Sequence, residues 1–354
     1  MTQTYRVTIE PLGKEIDCRS DQSVLDACLR AGVWLPHSCT HGTCATCKAE
    51  VLDGEVEHGD ASPFALMEFE KNEGKALLCV ACPRSDLTIE ADVDVDDDVP
   101  VHPVEDFTGT VVVLQDIATD IRRVVVELDR DLAFNAGQYM RFEVPGAPGI
   151  DRTYSMANVP TEPRHLEFHI RRTPGGICTD GWVFGALQAG DPVRLSGPFG
   201  RFVLRTTRPE PAVLIAGGTG LAPIMSMIRH ALENDASDNH LTLYQGARSR
   251  DFLYDVEVFR RLAAQYPHRF SYRPCLSEES ADGFASGLVT DVLAEEHATL
   301  QGRVAYVCGP PPMVDAALRV LMAKRLFPRD IYREDFFDAG DKASGGVKSP
   351  LIKR

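Results

Sequence analysis

Residues 39–47 read CTHGTCATC, which spaces three cysteines as Cys-x4-Cys-x2-Cys, and Cys79 follows after 31 intervening residues. This pattern is typical of one class of [2Fe–2S] site. A tight loop brings the thiolates of Cys39, Cys44 and Cys47 to the irons from one side, and Cys79 closes the cage from a neighbouring element. The spacing therefore predicts a [2Fe–2S] cluster and, with it, one-electron chemistry.

The residues between these cysteines are small, namely Gly42, Thr43, Ala45 and Thr46. A loop of small residues crowds its backbone against the cluster and aims N–H groups at the sulfurs. Zinc is an alternative, because Cys79 and Cys82 form a second Cys-x2-Cys pair with Cys44 and Cys47. That choice leaves Cys39 unexplained, so the cluster is favoured and Cys82 is interpreted as a small buried residue.

Composition narrows the class of protein. The 354 residues suffice for two or three domains, and no stretch approaches the roughly 18 apolar residues of a membrane span. The first residues, MTQTYR, lack the apolar run of a secretory signal, so a cytoplasmic protein is expected. The net charge of −15 argues against nucleic-acid binding. The chain is expected to act as a monomer without a membrane partner.

The negative charge is concentrated at the start of the chain. Residues 1–100 hold 20 Asp and Glu against 8 Lys and Arg, a balance of −12 out of −15. Solubility is the simpler interpretation. The alternative is an electrostatic docking face for a partner protein, if this segment exports the electron.

Periodicity and turn residues divide the chain into three domains. Strands are predicted at 5–10, 48–52 and 87–91, with a helix over 24–31 capped by Ser23. Short β-rich runs at 109–113, 124–128, 139–144, 166–170 and 192–195 favour a barrel or a sandwich. Strands at 212–216, 241–246 and 304–308, with helices near 222–232 and 256–266, predict a parallel sheet. The predicted ranges are 1–94, a linker at 95–105, 106–207, 208–337 and a tail at 338–354.

The β-rich domain contains a candidate flavin site. Arg152 can neutralise a pyrophosphate, Tyr154 can stack on an isoalloxazine ring, and Ser155 can hydrogen-bond near its N5 atom, with Thr153 between them. Gly175, Gly176 and Thr179 form a candidate phosphate cradle. By itself each motif is also typical of a surface strand or turn.

The third domain contains a candidate dinucleotide site. A short apolar strand is followed by Gly217, Gly218, Thr219 and Gly220, and then by Pro223 in the first turn of a helix. Such glycines let the backbone approach a pyrophosphate, and the free N–H groups of the turn attract anions. A second strand ends at Cys308 and is followed by Gly309, Pro310, Pro311 and Pro312, a predicted rigid loop at the carboxyl edge of the sheet. A buried, inert Cys308 is the alternative.

These motifs occur in the order found in ferredoxin–NAD(P)+ reductase-like proteins with an N-terminal ferredoxin domain. The chain resembles this family, the reductase components of bacterial multicomponent oxygenases, and most of all the phenol hydroxylase type that serves a soluble di-iron monooxygenase. The resemblance covers nearly the whole chain and includes the stretches at 41–48, 61–67, 245–248 and 349–354.

The resemblance implies a β-grasp [2Fe–2S] ferredoxin domain, an antiparallel β-barrel FAD domain and a parallel-sheet α/β nicotinamide-nucleotide domain. It implies FAD binding by Arg152, Tyr154 and Ser155, and it places Cys308 near the nicotinamide. Glu334 and Phe336 resemble a Glu-x-Phe element that closes near the flavin, although here 18 residues follow Phe336. Ser155, Cys308, Glu334 and Phe336 are thus the candidate catalytic residues.

The implied relay runs from NADH to FAD, to the cluster, and to an oxygenase. A flavin links the two carriers because it accepts a hydride and releases single electrons. NADH is favoured over NADPH on the resemblance, although Arg248 and Arg250 could hold a 2′-phosphate. A reductase of a Rieske aromatic-ring dioxygenase is an alternative, and an electron-carrier or redox-sensing protein without NADH turnover is a more distant one.

Overall fold

The cysteine-rich loop lies in the first of the two units into which the chain divides, Met1–Glu105 and Asp106–Arg354. The structure, a computed structural model, describes residues 2–37, 39–93, 99–234 and 237–336. Residues 95–98 of the predicted linker and the predicted tail at 338–354 lie outside these ranges. The domain boundaries given above therefore stay a prediction.

A mixed sheet in the order β2-β1-β7-β3-β5 organises the first unit, with β1 and β7 parallel. A two-stranded sheet pairs β4 with β6. A helix packed on a mixed sheet of this kind is the β-grasp arrangement that we expected. The elements are β1 (Thr4–Glu10), β2 (Lys14–Arg19), α1 (Val24–Arg30), β3 (Lys48–Asp53), β4 (Val56–Glu57), α2 (Glu68–Asn72), β5 (Lys75–Leu77), β6 (Cys82–Pro83) and β7 (Leu87–Glu90).

Local sequence explains the first of these elements. Val7 and Ile9 are fully buried on one face of β1, as the alternating pattern predicted. The helix α1 begins after Ser23, whose hydroxyl accepts a hydrogen bond from the Asp26 N–H (3.2 Å), which confirms the predicted cap. Strand β2 was not predicted, although Ile16 and Cys18 alternate as buried residues along it.

An antiparallel six-stranded sheet opens the second unit, in the order β11-β10-β13-β8-β9-β12. A bridge between Met156, just after β11, and Phe168 in β12 joins its two edges. The sheet therefore closes into a barrel rather than a sandwich. The elements are β8 (Glu105–Ala118), β9 (Ile121–Leu128), β10 (Tyr139–Glu143), β11 (Asp151–Ser155), β12 (His165–Arg171), a π-helix (Ile177–Ala186) and β13 (Pro192–Phe199).

A parallel six-stranded sheet follows, in the order β17-β16-β15-β14-β18-β19. Every residue of β14 and β18 is buried, as expected for central strands covered on both faces. The elements are β14 (Ala212–Gly217), α3 (Leu221–Glu233), β15 (Leu241–Ala247), α4 (Val256–Gln265), β16 (Phe270–Leu276), β17 (Ala285–Ser286), α5 (Val289–Glu296), β18 (Val304–Gly309), α6 (Pro311–Ala323) and β19 (Ile331–Asp335), with 3₁₀ turns at Gly218–Gly220, Arg250–Phe252 and Pro328–Asp330.

The strand order locates the binding edge of this sheet. From β14 the chain moves outward to β15, β16 and β17, and it then returns to place β18 on the other side of β14. Ligands of such sheets bind at the carboxyl ends of the strands where the order reverses, which here is between β14 and β18. The predicted rigid loop after Cys308 is shorter than expected, because Pro311 and Pro312 begin α6. Proline is tolerated there because the first turn needs no N–H partner.

No helix among the described residues is both long enough and apolar enough to cross a membrane.

Candidate functional sites

The cysteine loop between α1 and β3 is built from left-handed backbone turns. Thr40, Gly42 and Ala45 have φ values of 59°, 77° and 58°. At Gly42 an added Cβ would lie 3.0 Å from the Asp60 carbonyl oxygen and 3.3 Å from the Ala61 Cα, so a larger residue does not fit. Non-glycine residues rarely adopt this conformation, and its repetition within six residues is typical of a constrained ligand loop.

The structure brings the four predicted cysteine ligands together. Cys79 follows β5, where the Leu78 N–H donates to the Cys47 carbonyl (3.1 Å). Hydrogen bonds from the thiols of Cys44 and Cys79 lower the pKa of Cys39, and one from Cys79 lowers the pKa of Cys47. The N–H groups of Cys39 and Thr43 point at the sulfurs of Cys44 and Cys39 (both 3.4 Å).

Cys82 lies apart from this set. It pairs with Glu57 between β4 and β6, and the pKa of Cys18 is raised to about 12 by burial and then by the charge of Cys82. Within the described ranges, no group of three or more His, Cys, Asp or Glu residues, the four cysteines included, is arranged to hold a single metal ion. The zinc alternative, which required Cys82, gains no support from this geometry.

The end of strand β11 meets the last strand of the parallel sheet. The buried Ser155 hydroxyl donates to a carboxylate oxygen of Glu334 (3.3 Å). Glu334 lies beside the buried Cys308 in the register of β18 and β19. Burial, reinforced by the charge of Asp335, raises the pKa of Glu334 to about 8 against the Ser155 hydrogen bond. Glu334 therefore keeps a proton at neutral pH.

The residues that precede Ser155 in β11 lie in different surroundings, because side chains alternate between the two faces of a strand. The Tyr154 ring packs edge-on against Phe142 (5.6 Å between centroids), and its hydroxyl lies 3.1 Å from the Cys178 sulfur. Arg152 is exposed, and its guanidinium donates to the adjacent Asp151 carbonyl (2.6 Å). Thr153 is exposed as well. Arg152 therefore carries a charge at the surface of the barrel, where an anion can reach it.

Residues 175–179 form the entry to the π-helix. The Gly175 N–H donates to Asp180 (2.9 Å), and the Thr179 hydroxyl accepts from the Thr173 N–H (3.0 Å) and donates to its carbonyl (3.3 Å). A Cβ on Gly176 would lie 2.9 Å from the Thr173 carbonyl oxygen. These contacts shape the loop. The N–H groups of the first helical turn, 177–179, have no partners within the helix, as in any helix, and such N–H groups typically bind anions.

The loops after β14 and β18 touch backbone to backbone. A Cβ on Gly220 would lie 2.2 Å from the Cys308 carbonyl oxygen, and one on Gly309 would lie 2.9 Å from the Gly217 carbonyl oxygen. Pro223 lies in the first turn of α3, as predicted. The Phe336 N–H donates to the Gly309 carbonyl (3.1 Å), which places the Glu-x-Phe element beside the same loop.

Family models match three consecutive parts of the chain. They describe a 2Fe-2S iron-sulfur cluster binding domain at residues 7–84, an oxidoreductase FAD-binding domain at 108–204 and an oxidoreductase NAD-binding domain at 214–319. The chain is also 47% identical to the reductase component of phenol 2-monooxygenase from a Pseudomonas strain, over 99% of both chains. This chain belongs to the oxygenase reductase family.

Other relatives extend the comparison. The reductase subunit of an Amycolatopsis aromatic O-demethylase is 43% identical, covering 95% of this chain and 99% of its own. The crystal structure of an Amycolatopsis cytochrome P450 reductase superposes with a TM-score of 0.86 at 42% identity, covering 95% of this chain and all of that one. A ferredoxin reductase of carbazole 1,9a-dioxygenase superposes with a TM-score of 0.77 at 27% identity, over 95% and 99% of the two chains.

The fold class, the enzyme class and the cofactors expected from the sequence are thereby confirmed. The reductase binds a [2Fe–2S] cluster, FAD and a nicotinamide nucleotide, and it transfers electrons to an oxygenase. Of the predicted site residues, the structure brings the four cysteines together in the first unit. In the second unit it gathers Ser155, Cys308, Glu334 and Phe336.

Sequence reasoning missed one pair at the edge formed by β15 and β16. The Glu279 carboxylate accepts hydrogen bonds from the Arg250 guanidinium (2.5 Å) and from the Arg250 backbone N–H (2.9 Å). The predicted Arg248 guanidinium instead lies over the Phe252 ring, 4.4 Å from its centroid. At this edge of the reductase Arg250 is therefore paired with Glu279 and Arg248 packs on Phe252. Nothing in the sequence indicated Glu279, because it belongs to no motif.

Proposed function

We propose that this reductase oxidises NADH and supplies electrons to the hydroxylase of a phenol-type di-iron monooxygenase. The choice of partner rests on identity over nearly the whole chain with two proteins of phenol-oxidising systems. These are the Pseudomonas phenol 2-monooxygenase reductase component (47%) and the phenol hydroxylase P5 protein of Acinetobacter pittii (44%). When bound, FAD accepts a hydride from NADH and gives up electrons singly to the cluster. The protein's part is to hold these groups in place.

Cys39, Cys44, Cys47 and Cys79 are the proposed cluster ligands. The fit is supported by the mutual hydrogen bonds of their thiols and by the backbone N–H groups of Cys39 and Thr43 at the sulfurs. N–H groups near cluster sulfurs stabilise the added electron and raise the reduction potential. Gly42 lets the loop close against Asp60 and Ala61.

Arg152, Thr153, Tyr154 and Ser155 are the proposed flavin contacts, with the 175–179 turn at the pyrophosphate. The exposed charge of Arg152 and the first-turn N–H groups of the π-helix suit two negative phosphates. Ser155 presents a hydroxyl at the flavin edge, and Glu334 behind it holds a proton on its carboxyl group. Ser155 is buried and Glu334 is half-buried, so the pair limits the access of water to the proposed place of hydride exchange.

Gly217, Gly218, Thr219, Gly220 and Pro223 are the proposed pyrophosphate cradle, and Cys308, Gly309 and Pro310 line the nicotinamide side. Support comes from the two backbone contacts at Gly220 and Gly309, which only glycine permits. Phe336 would close this side, because its N–H is anchored on Gly309. Cys308 is neutral, since burial raises the pKa of its thiol well above the ordinary value.

The choice of NADH over NADPH is supported by the Arg250–Glu279 pair. With the nicotinamide toward β18 and β19, the adenosine ribose falls toward the carboxyl ends of β15 and β16. A 2′-phosphate needs an unpaired cation there, whereas Arg250 is neutralised by Glu279 and Arg248 stacks on Phe252. A ribose hydroxyl needs no such cation.

The partner is proposed to dock on the acidic ferredoxin unit. Acidic side chains of this unit are exposed near the cluster loop, among them Glu57 and Asp60. Phe64 is 92% exposed, and it belongs to the segment in which the Ser62 N–H donates to the Gly42 carbonyl. An exposed aromatic ring beside acidic groups is typical of a protein-binding surface. We further propose that the reductase acts as a cytoplasmic monomer.

The test is reconstitution. The purified holoprotein is mixed with NADH and, in separate assays, with the hydroxylase of a phenol monooxygenase, with a P450 O-demethylase and with a Rieske dioxygenase. We expect NADH to bleach both flavin and cluster bands, and product to form fastest with the phenol hydroxylase. Fastest turnover with either other oxygenase contradicts the proposed partner, and bands that do not respond to NADH contradict the reductase itself.

A further inference from the structure

A partly buried ring of polar residues joins the barrel to the nucleotide-binding part of the second unit. Arg123 in β9 donates to Glu167 (2.8 Å) in β12 and, through one nitrogen, to both oxygens of Asp255 (2.8 and 2.7 Å). Glu167 also bonds the buried His169 (2.8 Å), whose ring meets Tyr254 edge to face, 5.0 Å between centroids. Since Tyr254 and Asp255 are adjacent in sequence, the contacts form a closed circuit.

Asp255 adopts a conformation that its position in the sequence does not favour, and its contacts in this circuit stabilise that conformation. It occupies the N-cap position of α4, where an aspartate ordinarily accepts a backbone hydrogen bond, yet its side chain makes no such bond. Its φ of 57° is the left-handed conformation that non-glycine residues seldom adopt. The two hydrogen bonds from Arg123 offset both losses, because hydrogen bonds between two charged groups are stronger than those between neutral ones and this pair is largely shielded from water.

Tyr254 extends the circuit to the glycine turn. Its hydroxyl donates to the Gly218 carbonyl oxygen (3.1 Å). Burial raises the pKa of Tyr254 well above its ordinary value, so the hydroxyl keeps its proton and remains a donor. In a trans peptide the C=O and the following N–H point in opposite directions. Holding the Gly218 carbonyl toward Tyr254 therefore directs the Thr219 N–H away from it, toward the mouth of the turn.

We propose that Tyr254 is a positioning residue for the dinucleotide pyrophosphate, acting by fixing the peptide between Gly218 and Thr219. The Leu221 N–H also donates to the Gly218 carbonyl within the 3₁₀ turn, so the Tyr254 hydroxyl is a second donor that holds the same peptide from outside the turn. The ring of Arg123, Glu167 and His169 anchors Tyr254 to the barrel, so the turn is held relative to the domain that binds FAD. The inference rests on the proposed use of NADH.

The test compares Tyr254→Phe with the wild-type holoprotein, using NADH and a dihydronicotinamide that carries no phosphate, such as 1-benzyl-1,4-dihydronicotinamide, with ferricyanide as acceptor. Loss of one neutral hydrogen bond should lower kcat/KM for NADH about 3- to 10-fold, mainly through KM. The phosphate-free donor should be oxidised at the wild-type rate. Inhibition by ADP-ribose should weaken by the same factor as the KM for NADH rises.

Tyr244→Phe is the matched control. Tyr244 is equally buried and its hydroxyl donates to Glu296 (2.7 Å), but it belongs to none of the proposed sites. Loss of the Tyr244 hydroxyl should leave kcat/KM unchanged for both NADH and the phosphate-free donor. If Tyr254→Phe slows both donors equally, or neither, the positioning role is wrong.

Gly218→Ala is a second test of the proposal, to be used if Tyr254→Phe does not fold. Its methyl group enters open space and disturbs only the left-handed turn, so the same NADH-selective loss is expected, and an unselective or absent loss again overturns the proposal. Wild-type protein that fails to oxidise NADH at all would refute the proposed function, which is a different result.

Discussion

The Ser155 hydroxyl and the Glu334 carboxylate lie 3.3 Å apart although 179 positions separate them in the sequence. The contact joins the end of a barrel strand to the last strand of the parallel sheet. It places a proton-holding carboxyl group directly behind the serine proposed to touch the flavin, and Cys308 lies beside it. The proposed site for hydride exchange is thus shared by the two halves of the second unit.

Glu334→Gln should remove a pH dependence of stability. The pKa of Glu334 is raised from its ordinary 4.5 to about 8, so its contribution is fully present below pH 4.5 and is lost as the pH rises through 8. Between pH 5 and 8 the unfolding midpoint of the wild type should therefore fall relative to that of Glu334→Gln. Parallel thermal unfolding curves for the two proteins across this range contradict the assignment.

Cys79→Ser should separate the two redox centres. Without the fourth thiolate the cluster bands should disappear and cytochrome c reduction should be lost, because that acceptor takes electrons from the cluster. Reduction of ferricyanide at the flavin should persist. Cys82→Ser is the control and should retain the cluster, since Cys82 pairs with Glu57 between β6 and β4 and is not one of the four bonded cysteines. If both Cys79→Ser and Cys82→Ser lose the cluster, Cys82 would have to be considered a ligand again.

Glu279→Ala should relax coenzyme choice. Freeing Arg250 provides a cation for a 2′-phosphate, and we expect the ratio of kcat/KM for NADPH to that for NADH to rise about tenfold. Adding Arg250→Ala should reverse the gain. Glu233→Gln, which breaks an ion pair with Arg229 on α3, should leave the ratio unchanged.

Arg248, in the same loop as Arg250, provides a test that could contradict the preference for NADH. If Arg248→Ala in the otherwise wild-type chain abolishes NADPH oxidation and lowers NADH oxidation much less, Arg248 already binds a 2′-phosphate. The preference for NADH would then be wrong, whatever Glu279→Ala does.

Electron delivery to the oxygenase should depend on salt. The first hundred residues hold −12 of the −15 net charge, and ions screen exposed charges beyond about 8 Å at physiological ionic strength. Raising sodium chloride from about 20 to 500 mM should slow hydroxylase-coupled turnover several-fold. Ferricyanide reduction by the same protein serves as the internal reference and should change little. Equal responses of the two reactions would remove the electrostatic part of the docking proposal.

Local pattern determined much of this protein. The Cys-x4-Cys-x2-Cys spacing identified the cluster loop, because small residues between ligands are readable at short range. The apolar run at 212–216, followed by three glycines and Pro223, located strand β14, its turn and α3. The barrel strands at 124–128 and 139–144 were found in the same way, since a period of two is a property of the strand itself.

Other elements escaped prediction because their signal is not local. Strand β19 alternates weakly and exists as a strand by pairing with β18 across a helix. Whether the five predicted β-rich runs made a barrel or a sandwich depended on one bridge, Met156 to Phe168, between strands at opposite edges of the sheet.

The sequence by itself therefore determined many of the strands and helices, the cysteine and glycine loops, and the order of the cofactor domains. Only the tertiary structure decided which side chains meet: Ser155 with Glu334, Arg250 with Glu279, and Tyr254 with the Gly218 carbonyl. The physical reason is that hydrogen bonds and ion pairs act over about 3 Å. Partners that are tens to hundreds of positions apart are brought within that distance only by strand order, register and closure of the sheets.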